Sequence, residues 1–375
     1  MALKCCLALS AVVALSQAHA LEELNEQALS DVTGQAQGLR YTSESDVRVD
    51  SISYIDDDGL NNGTVGSVSL SPVRMYTPVN RPVQIDLEVK EVNGRKALVF
   101  TNRDLPIELE VGSVAVNGVS LGGLGQGNFQ IGSGDALITN MYAGGQIGSG
   151  FTLDVLIPGS MSMDTYYEDE GTRFTTTVDF SDPRDANAGG LDLTSMTFDL
   201  ETDGLRIGLP VINGGNINLY NARVGNDVLN SLAFRNIQML SGGYLLLKNA
   251  ENAGEIGIEM DARLASGSSL ELVYIAGEVD DSYPNQNVFE MSAQVSLTSD
   301  FDVRGMRLNV DGDRGLVFDF DPAAAGDGIS AGLRVDSIRL QRSDQVGQGA
   351  LPASIGTLDA QINLTQNTYL QVQGH

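Results

Sequence analysis

An all-β fold is what this sequence predicts, and three observations predict it. Apolar and polar residues alternate over short runs, as at Val68-Ser-Leu70, Ile107-Glu-Leu109-Glu-Val111, Ile217-Asn-Leu219 and Ile256-Gly-Ile258-Glu-Met260, the period-2 signature of half-buried strands. Turn dipeptides punctuate these runs: Asp58-Gly59, Asn62-Gly63, Asn117-Gly118, Asn213-Gly214-Gly215 and Ser241-Gly242-Gly243, where residues that tolerate positive φ let the chain reverse. No βαβ rhythm interrupts them, so a parallel α/β sheet is excluded. The composition agrees: 43 glycines in 375 residues, no tryptophan and 42% apolar, enough for a core and rich in turns.

Residues 1–20 read as a signal peptide. Lys4 supplies the positive start, Cys5 to Leu15 the apolar stretch, and Ala18-His19-Ala20 the small-x-small cleavage pattern. The apolar stretch is shorter than the roughly 20 residues that span a bilayer, so no integral membrane segment is expected. Cleavage removes Cys5, Cys6 and His19, leaving His375 as the one histidine. Disulfides, thiolate nucleophiles, zinc clusters and interior Ser-His-Asp triads drop out with them. The expected location is the cell surface, associated with the outer membrane, or the extracellular space, with the periplasm as the alternative.

Residues 21–37 carry the one helical pattern. Leu21, Leu24, Ala28, Leu29 and Val32 share a face, Glu22 and Glu23 suit the first turn, and Gly34 offers a C-cap. A short amphipathic helix capping one end of a β body is the expectation.

The remainder divides into an N-terminal β module (38–125), a repeat unit (126–243) and a second unit with C-terminal strands (244–375). Five stretches share a finer pattern, in which two alternating apolar residues are followed by two more on the opposite parity. They are Val47, Val49, Ile52, Tyr54; Val68, Leu70, Val73, Met75; Leu191, Leu193, Met196, Phe198; Phe301, Val303, Met306, Leu308; and Leu333, Val335, Ile338, Leu340. Ser51, Pro72, Ser195, Gly305 or Ser337 precedes the third apolar position. A parity flip demands an inserted residue, hence a bulge or a corner there. Arg48-Val-Asp-Ser-Ile52 recurs as Arg334-Val-Asp-Ser-Ile338, Leu191–Met196 resembles Phe301–Met306, and Leu153–Ile157 resembles Leu270–Tyr274. Internal duplication with bent strands predicts an elongated β-solenoid or taco-like roll, with stacked β-sandwiches as the alternative.

The formal charge of −27 repels nucleic acid and anionic membrane surfaces, so neither is an expected partner. It also directs attention to calcium. Asp56 and Asp58 stand in the densest acidic turn, and Asn309, Asp311 and Asp313 have the alternate-residue spacing of a calcium loop. Val65 stands where an EF-hand needs its closing Glu, and Arg314 where a calcium loop prefers Gly. Solvated hairpin turns are the competing reading, and no other cofactor is expected. Tyr166 and Tyr167, beside Glu168–Glu170, and Tyr283, beside Asp280, suggest two acidic loops as partner-binding surfaces. No catalytic site is predicted: a glycosidase pair needs a sugar-sized cleft, and aromatic platforms are sparse.

The opening Leu21-Glu-Glu-Leu-Asn-Glu-Gln-Ala-Leu-Ser-Asp-Val-Thr-Gly-Gln35 and the ending Tyr369-Leu-Gln-Val-Gln-Gly-His375 resemble those of the FilA-like pilus-system proteins of gammaproteobacteria. The resemblance implies a secreted or surface component of a pilus-like or attachment system, with protein partners or self-association, and carries no catalytic motif. A non-enzymatic structural or adhesion-type protein is therefore the leading expectation. The alternative is an extracytoplasmic ligand-binding protein, for example an accessory to haem uptake.

Overall fold

The computed structural model describes residues 38–374, apart from 58, 60–62, 149, 186–188, 203, 250–257, 281, 321–328, 347, 349–351 and 365–367. The helix expected at 21–37 lies outside these residues. Contact density sets Met1–Leu39 apart from Arg40–His375, and the second of these units is the β body.

Its chain runs in twelve successive paths. β1 (Leu39–Ser43), β2 (Asp46–Val49) and β3 (Ile52–Asp56) make the first. β4 (Gly66–Leu70), β5 (Val73–Tyr76) and β6 (Val83–Val92) return. β7 (Arg95–Asn102), β8 (Glu108–Val111) and β9 (Val114–Val116) come next, then β10 (Val119–Ser120), β11 (Gly123–Gln130) and β12 (Leu137–Ala143). The later paths have two main segments: β13 (Phe151–Ile157) with β14 (Ser162–Asp169), and β15 (Thr172–Asp179) with β16 (Leu191–Leu200). β17 (Gly204–Gly208) and the short β18 (Ile212–Asn213) precede β19 (Ile217–Val224), and β20 (Asp227–Met239) precedes β21 (Tyr244–Asn249). Last come β22 (Ile258–Leu264) with β23 (Ser269–Ala276), β24 (Phe289–Leu297) with β25 (Phe301–Asp311), β26 (Gly315–Asp319) with β27 (Ile329–Arg342), and β28 (Leu358–Leu364) with β29 (Tyr369–Val372).

Each path contributes one segment to each of two antiparallel ribbons. Ribbon one is β1-β6-β7-β12-β13-β16-β17-β21-β22-β25-β26-β29, and ribbon two is β2-β5-β8-β11-β14-β15-β19-β20-β23-β24-β27-β28. Because the hairpins alternate, every crossover between ribbons lies at one strand end and every hairpin turn at the other. Asp302 of β25 pairs with Ser330 of β27 and Thr194 bridges Val211, tying the ribbons along the crossover line. β10-β9-β4-β3 form a separate small sheet. All these pairings are antiparallel, so the expected β-solenoid, a stack of parallel coils, is corrected to a meander. No α-helix occurs among the described residues, and none is long and apolar enough to cross a membrane.

The parity-flip motif resolves into bulges and corners, as its spacing requires. Ser195, Gly305 and Ser337 have φ of 59°, 67° and 53°, and at each the register slips by one residue against the neighbouring strand. The inserted residue returns the next apolar pair to the same face, so Leu191, Leu193, Met196 and Phe198 all lie on one side. At two bulges an acid holds the kinked backbone: the Ser195 amide donates to Asp154 Oδ1 at 2.7 Å, and the Gly305 amide to Asp261 Oδ1 at 2.7 Å. Asp154 on β13 and Asp261 on β22 are thus equivalent. Leu270–Tyr274, which the sequence matches to Leu153–Ile157, instead forms β23 in ribbon two. At Ser51 and Pro72 the motif makes corners, where β2 and β5 in ribbon two meet β3 and β4 in the small sheet.

Candidate apolar binding surface and buried charge cluster

Register pairing sets a continuous apolar row along one face of each ribbon. In ribbon two, Leu219, Leu232, Tyr274, Met291 and Leu340 are successive cross-strand neighbours. In ribbon one, Phe151, Phe198, Ile207, Leu245, Ala262 and Val303 form an equivalent row. The opposite faces are mixed: they carry charge, for example Asp46, Arg48, Arg74 and Glu110 around β2, β5 and β8, and buried apolar groups, Ala97 and Val99 in ribbon one and Ala233, Val273 and Ile275 in ribbon two.

Burial along these apolar faces is graded. Leu191 at the crossover end of β16 is 1% exposed, whereas Leu200 at its hairpin end is 74% exposed. Met163 and Val178 are buried at the crossover, while Tyr167 and Phe174 near the β14–β15 turn are exposed by 42% and 44%. Phe151 and Phe198 stack at 4.8 Å between ring centroids in the hairpin half of ribbon one. Along β14, β15 and β16 the apolar surface is therefore sealed where the ribbons meet and open at the hairpin ends, whereas at the β25–β26 hairpin Val310 is 1% exposed.

The charged face of ribbon two has its own buried site. Arg235 on β20 and Glu290 on β24 are fully buried, with Arg235 Nη1 donating to Glu290 Oε1 at 3.3 Å. Tyr283 donates its hydroxyl to Glu290 Oε2 and accepts from Arg235 Nη2 at 3.3 Å, and Gln341 Nε2 donates to Glu290 Oε1 at 3.1 Å. Val279 and Val288, from the 277–288 loop, pack with Tyr220, Ala233, Val273 and Ile275 over this face. Burial opposes the Arg235 charge, but Glu290, Tyr283 and Tyr220 outweigh it and hold the guanidinium above its ordinary pKa. Burial pushes the Tyr220 phenol up to about 12. The desolvated pair links β20 and β24 to Tyr283 of the loop, although Arg235 Nε is left without a hydrogen-bond partner.

The calcium candidates come together in space. Asp56 and Asp311 are both fully buried, and Val310 N donates to Asp56 Oδ2 at 2.8 Å across 254 residues. Gly59 N also donates to Asp56, and the amides of Asp313 and Arg314 donate to Asp311 Oδ1. Asn117, in the Asn-Gly turn between β9 and β10, donates to the carbonyls of Asp311 at 2.8 Å and Gly312 at 3.0 Å. A Cβ on Gly66 would collide with the Val310 carbonyl, so only glycine permits this approach. The arrangement clasps the small sheet to the β25–β26 turn. Asn309 is buried beside it and Asp313 is exposed; Asp58 lies outside the described residues. Among the described residues no three acidic, histidine or cysteine side chains are grouped to hold a metal.

The tyrosine positions also differ from expectation. Tyr166 and Tyr167 sit within β14, not in a loop; Arg173 covers the Tyr166 ring at 3.7 Å and the Tyr167 hydroxyl donates to the Leu121 carbonyl at 2.5 Å. Tyr283 does lie in a loop, but its hydroxyl is turned inward. Sequence reading missed Arg235 and Glu290. The available signal was the polar series Glu290, Ser292, Gln294 alternating with Phe289, Met291, Ala293, which says that one face of β24 must find polar partners.

Residues 1–95 match a family described as a family of unknown function, DUF6160. Neither the curated proteins nor the solved structures give a significant match. The matched stretch includes the opening that resembles the FilA-like proteins, and it brings no function with it.

Proposed function

We propose that this chain is a non-enzymatic, extracytoplasmic β-scaffold that holds elongated apolar molecules, such as acyl chains, between its two ribbons. In this reading the apolar faces look toward each other across the crossover line, the taco-like arrangement expected from the bent strands. The graded exposure from Leu191 to Leu200 is the observation that carries it. A face that is apolar, continuous across neighbouring strands and open at one side loses free energy when an apolar occupant covers it, at about 25 cal/mol per Å². The occupant would have to be apolar too, since a peptide backbone would leave its own amides without partners there.

The test is fluorescence titration with N-phenyl-1-naphthylamine, a neutral apolar probe, followed by displacement with a long-chain alcohol. Saturable enhancement and full displacement are expected. No enhancement, or enhancement that the alcohol leaves unchanged, would refute the reading. Hemin added to the same protein separates a porphyrin ligand, which would shift its Soret band, from an acyl one.

The surface-assembly role expected from the sequence stands as the second reading. The observation that favours it is that, among the described residues, the sheets remain open at their outer strands.

A further inference from the structure

The first and last paths of the meander leave both ribbons with open edges among the described residues. Among the described residues, β2 pairs laterally with β5 alone and β28 with β27 alone; β1 meets only β6, and β29 only β26. Such edges present unpaired amides and carbonyls, and proteins usually blunt them with proline, bulges or unmatched charge. β28 reads Leu-Asp-Ala-Gln-Ile-Asn-Leu, with no proline and one charge, and Leu358 and Ile362 are exposed.

We propose that copies of this chain associate head to tail, the β28 edge of one copy adding to the β2 edge of the next. Three features fit that partner. Each ribbon has twelve strands, an even number, so a second copy in the same orientation continues the antiparallel alternation in both ribbons. The faces match: Leu358 and Ala360 share the face of Val335 and Leu333, and Val47 and Val49 that of Met75 and Val73. Charges match as well, because a register that sets Arg48 against Asp359 pairs Val49 with Leu358 and Val47 with Ala360. Within one copy Arg48 pairs with Asp46 and Asp359 with Arg334, yet both side chains remain accessible, 67% and 62% exposed, so the contact would extend these pairs into a four-membered network. A heterologous contact of this kind propagates and does not stop at a dimer.

The experiment is sedimentation of the full exported chain over a concentration series, beside two edge-blocked variants. One carries proline on β2 (Val47→Pro or Arg48→Pro), the other proline on β28 (Ala360→Pro or Gln361→Pro). Adjacent positions are made because only one of each pair directs its amide outward, and the variant that keeps the wild-type melting temperature is used. The wild type is expected to gain mass with concentration. Each blocked variant should be monomeric alone, and their equimolar mixture should give twice the monomer mass and no more. A wild type that stays monomeric at its highest soluble concentration overturns the proposal. So does a β2-blocked variant that still dimerises alone, which would mean β28 pairing with β28. Edge-to-edge association is independent of ligand binding: the sedimentation result does not depend on whether the naphthylamine probe binds.

Discussion

β16 in ribbon one and β24 in ribbon two both alternate apolar and polar residues, yet the crossover half of β16 buries its apolar face while the hairpin half of β24, like the hairpin end of β16 at Asp199, buries its polar one. On β16, Leu191, Leu193 and Met196 are inside and Asp192 is outside. On β24, Phe289 and Met291 are more than 40% exposed while Glu290 and Ser292 are buried. Alternation decides which residues share a face; what covers that face decides whether it is dry. At the crossover end of β16 the meeting of the ribbons supplies the cover. Over β24 the 277–288 loop covers the polar face, and Arg235, Tyr283 and Gln341 make that face tolerable by satisfying Glu290.

Breaking the β24 side of this comparison should have the largest effect. Glu290→Leu leaves Arg235 buried and unpaired, at an expected cost of about 3–5 kcal/mol in urea unfolding. Converting Arg235 to Met in the same chain should recover most of that loss. A double variant no more stable than the single one would contradict the assignment of the loss to the orphaned guanidinium.

The β16 side is probed by truncation at its two ends. Leu191→Ala should cost about 2–5 kcal/mol, because the site is buried and collapses only in part. Leu200→Ala should stay within about 0.5 kcal/mol, as exposed positions do. Equal losses, read from the same unfolding curves, would mean that the burial gradient is absent in solution.

The bulges sharpen the comparison on a smaller scale. Gly305→Ala puts a Cβ on a left-handed residue and should cost roughly 1–2 kcal/mol. Ser195→Gly, at the equivalent bulge, relieves that strain and should be neutral or stabilising by thermal melting. A loss at Ser195 as large as that at Gly305 would show that the two bulges are not equivalent.

Smallest near neutral pH is the effect of the Tyr220 phenol. Its folded pKa of about 12 lies above the unfolded value near 10, so its neutral form is favoured on folding. That contribution is fully present below about pH 10 and is lost as pH rises toward 12. Tyr220→Phe should therefore leave the melting temperature near neutral pH almost unchanged and flatten its fall between those pH values. An unaltered alkaline limb would count against burial as the cause.

Much of the fold was legible because it is local. Period-2 runs gave the strands, Asn117-Gly118 gave a hairpin with both residues at positive φ, and the parity flips located bulges at Ser195, Gly305 and Ser337. What could not be read depends on distant partners. Asp56 looked like a solvated turn, and its carboxylate instead caps an amide 254 residues away. Tyr283 looked like a recognition residue because acids flank it, but nothing nearby in sequence announces Arg235, 48 positions upstream. The apolar rows were visible only as alternation; which ends of the strands are covered is set by distant contacts, the meeting of the ribbons at Leu191 and the docked small sheet at Val310.

The central claim, that both apolar faces serve one ligand, is tested most directly by tryptophan quenching, for which the chain offers a blank background because it contains no tryptophan. Single tryptophans would replace Phe151 in ribbon one, Phe174 in ribbon two and Tyr76 on the charged face, and each variant would be titrated with a bromine-labelled fatty alcohol. Tryptophans at 151 and 174 should be quenched over the same concentration range while that at 76 stays bright. Quenching at all three alike, or at neither apolar position, would contradict the account.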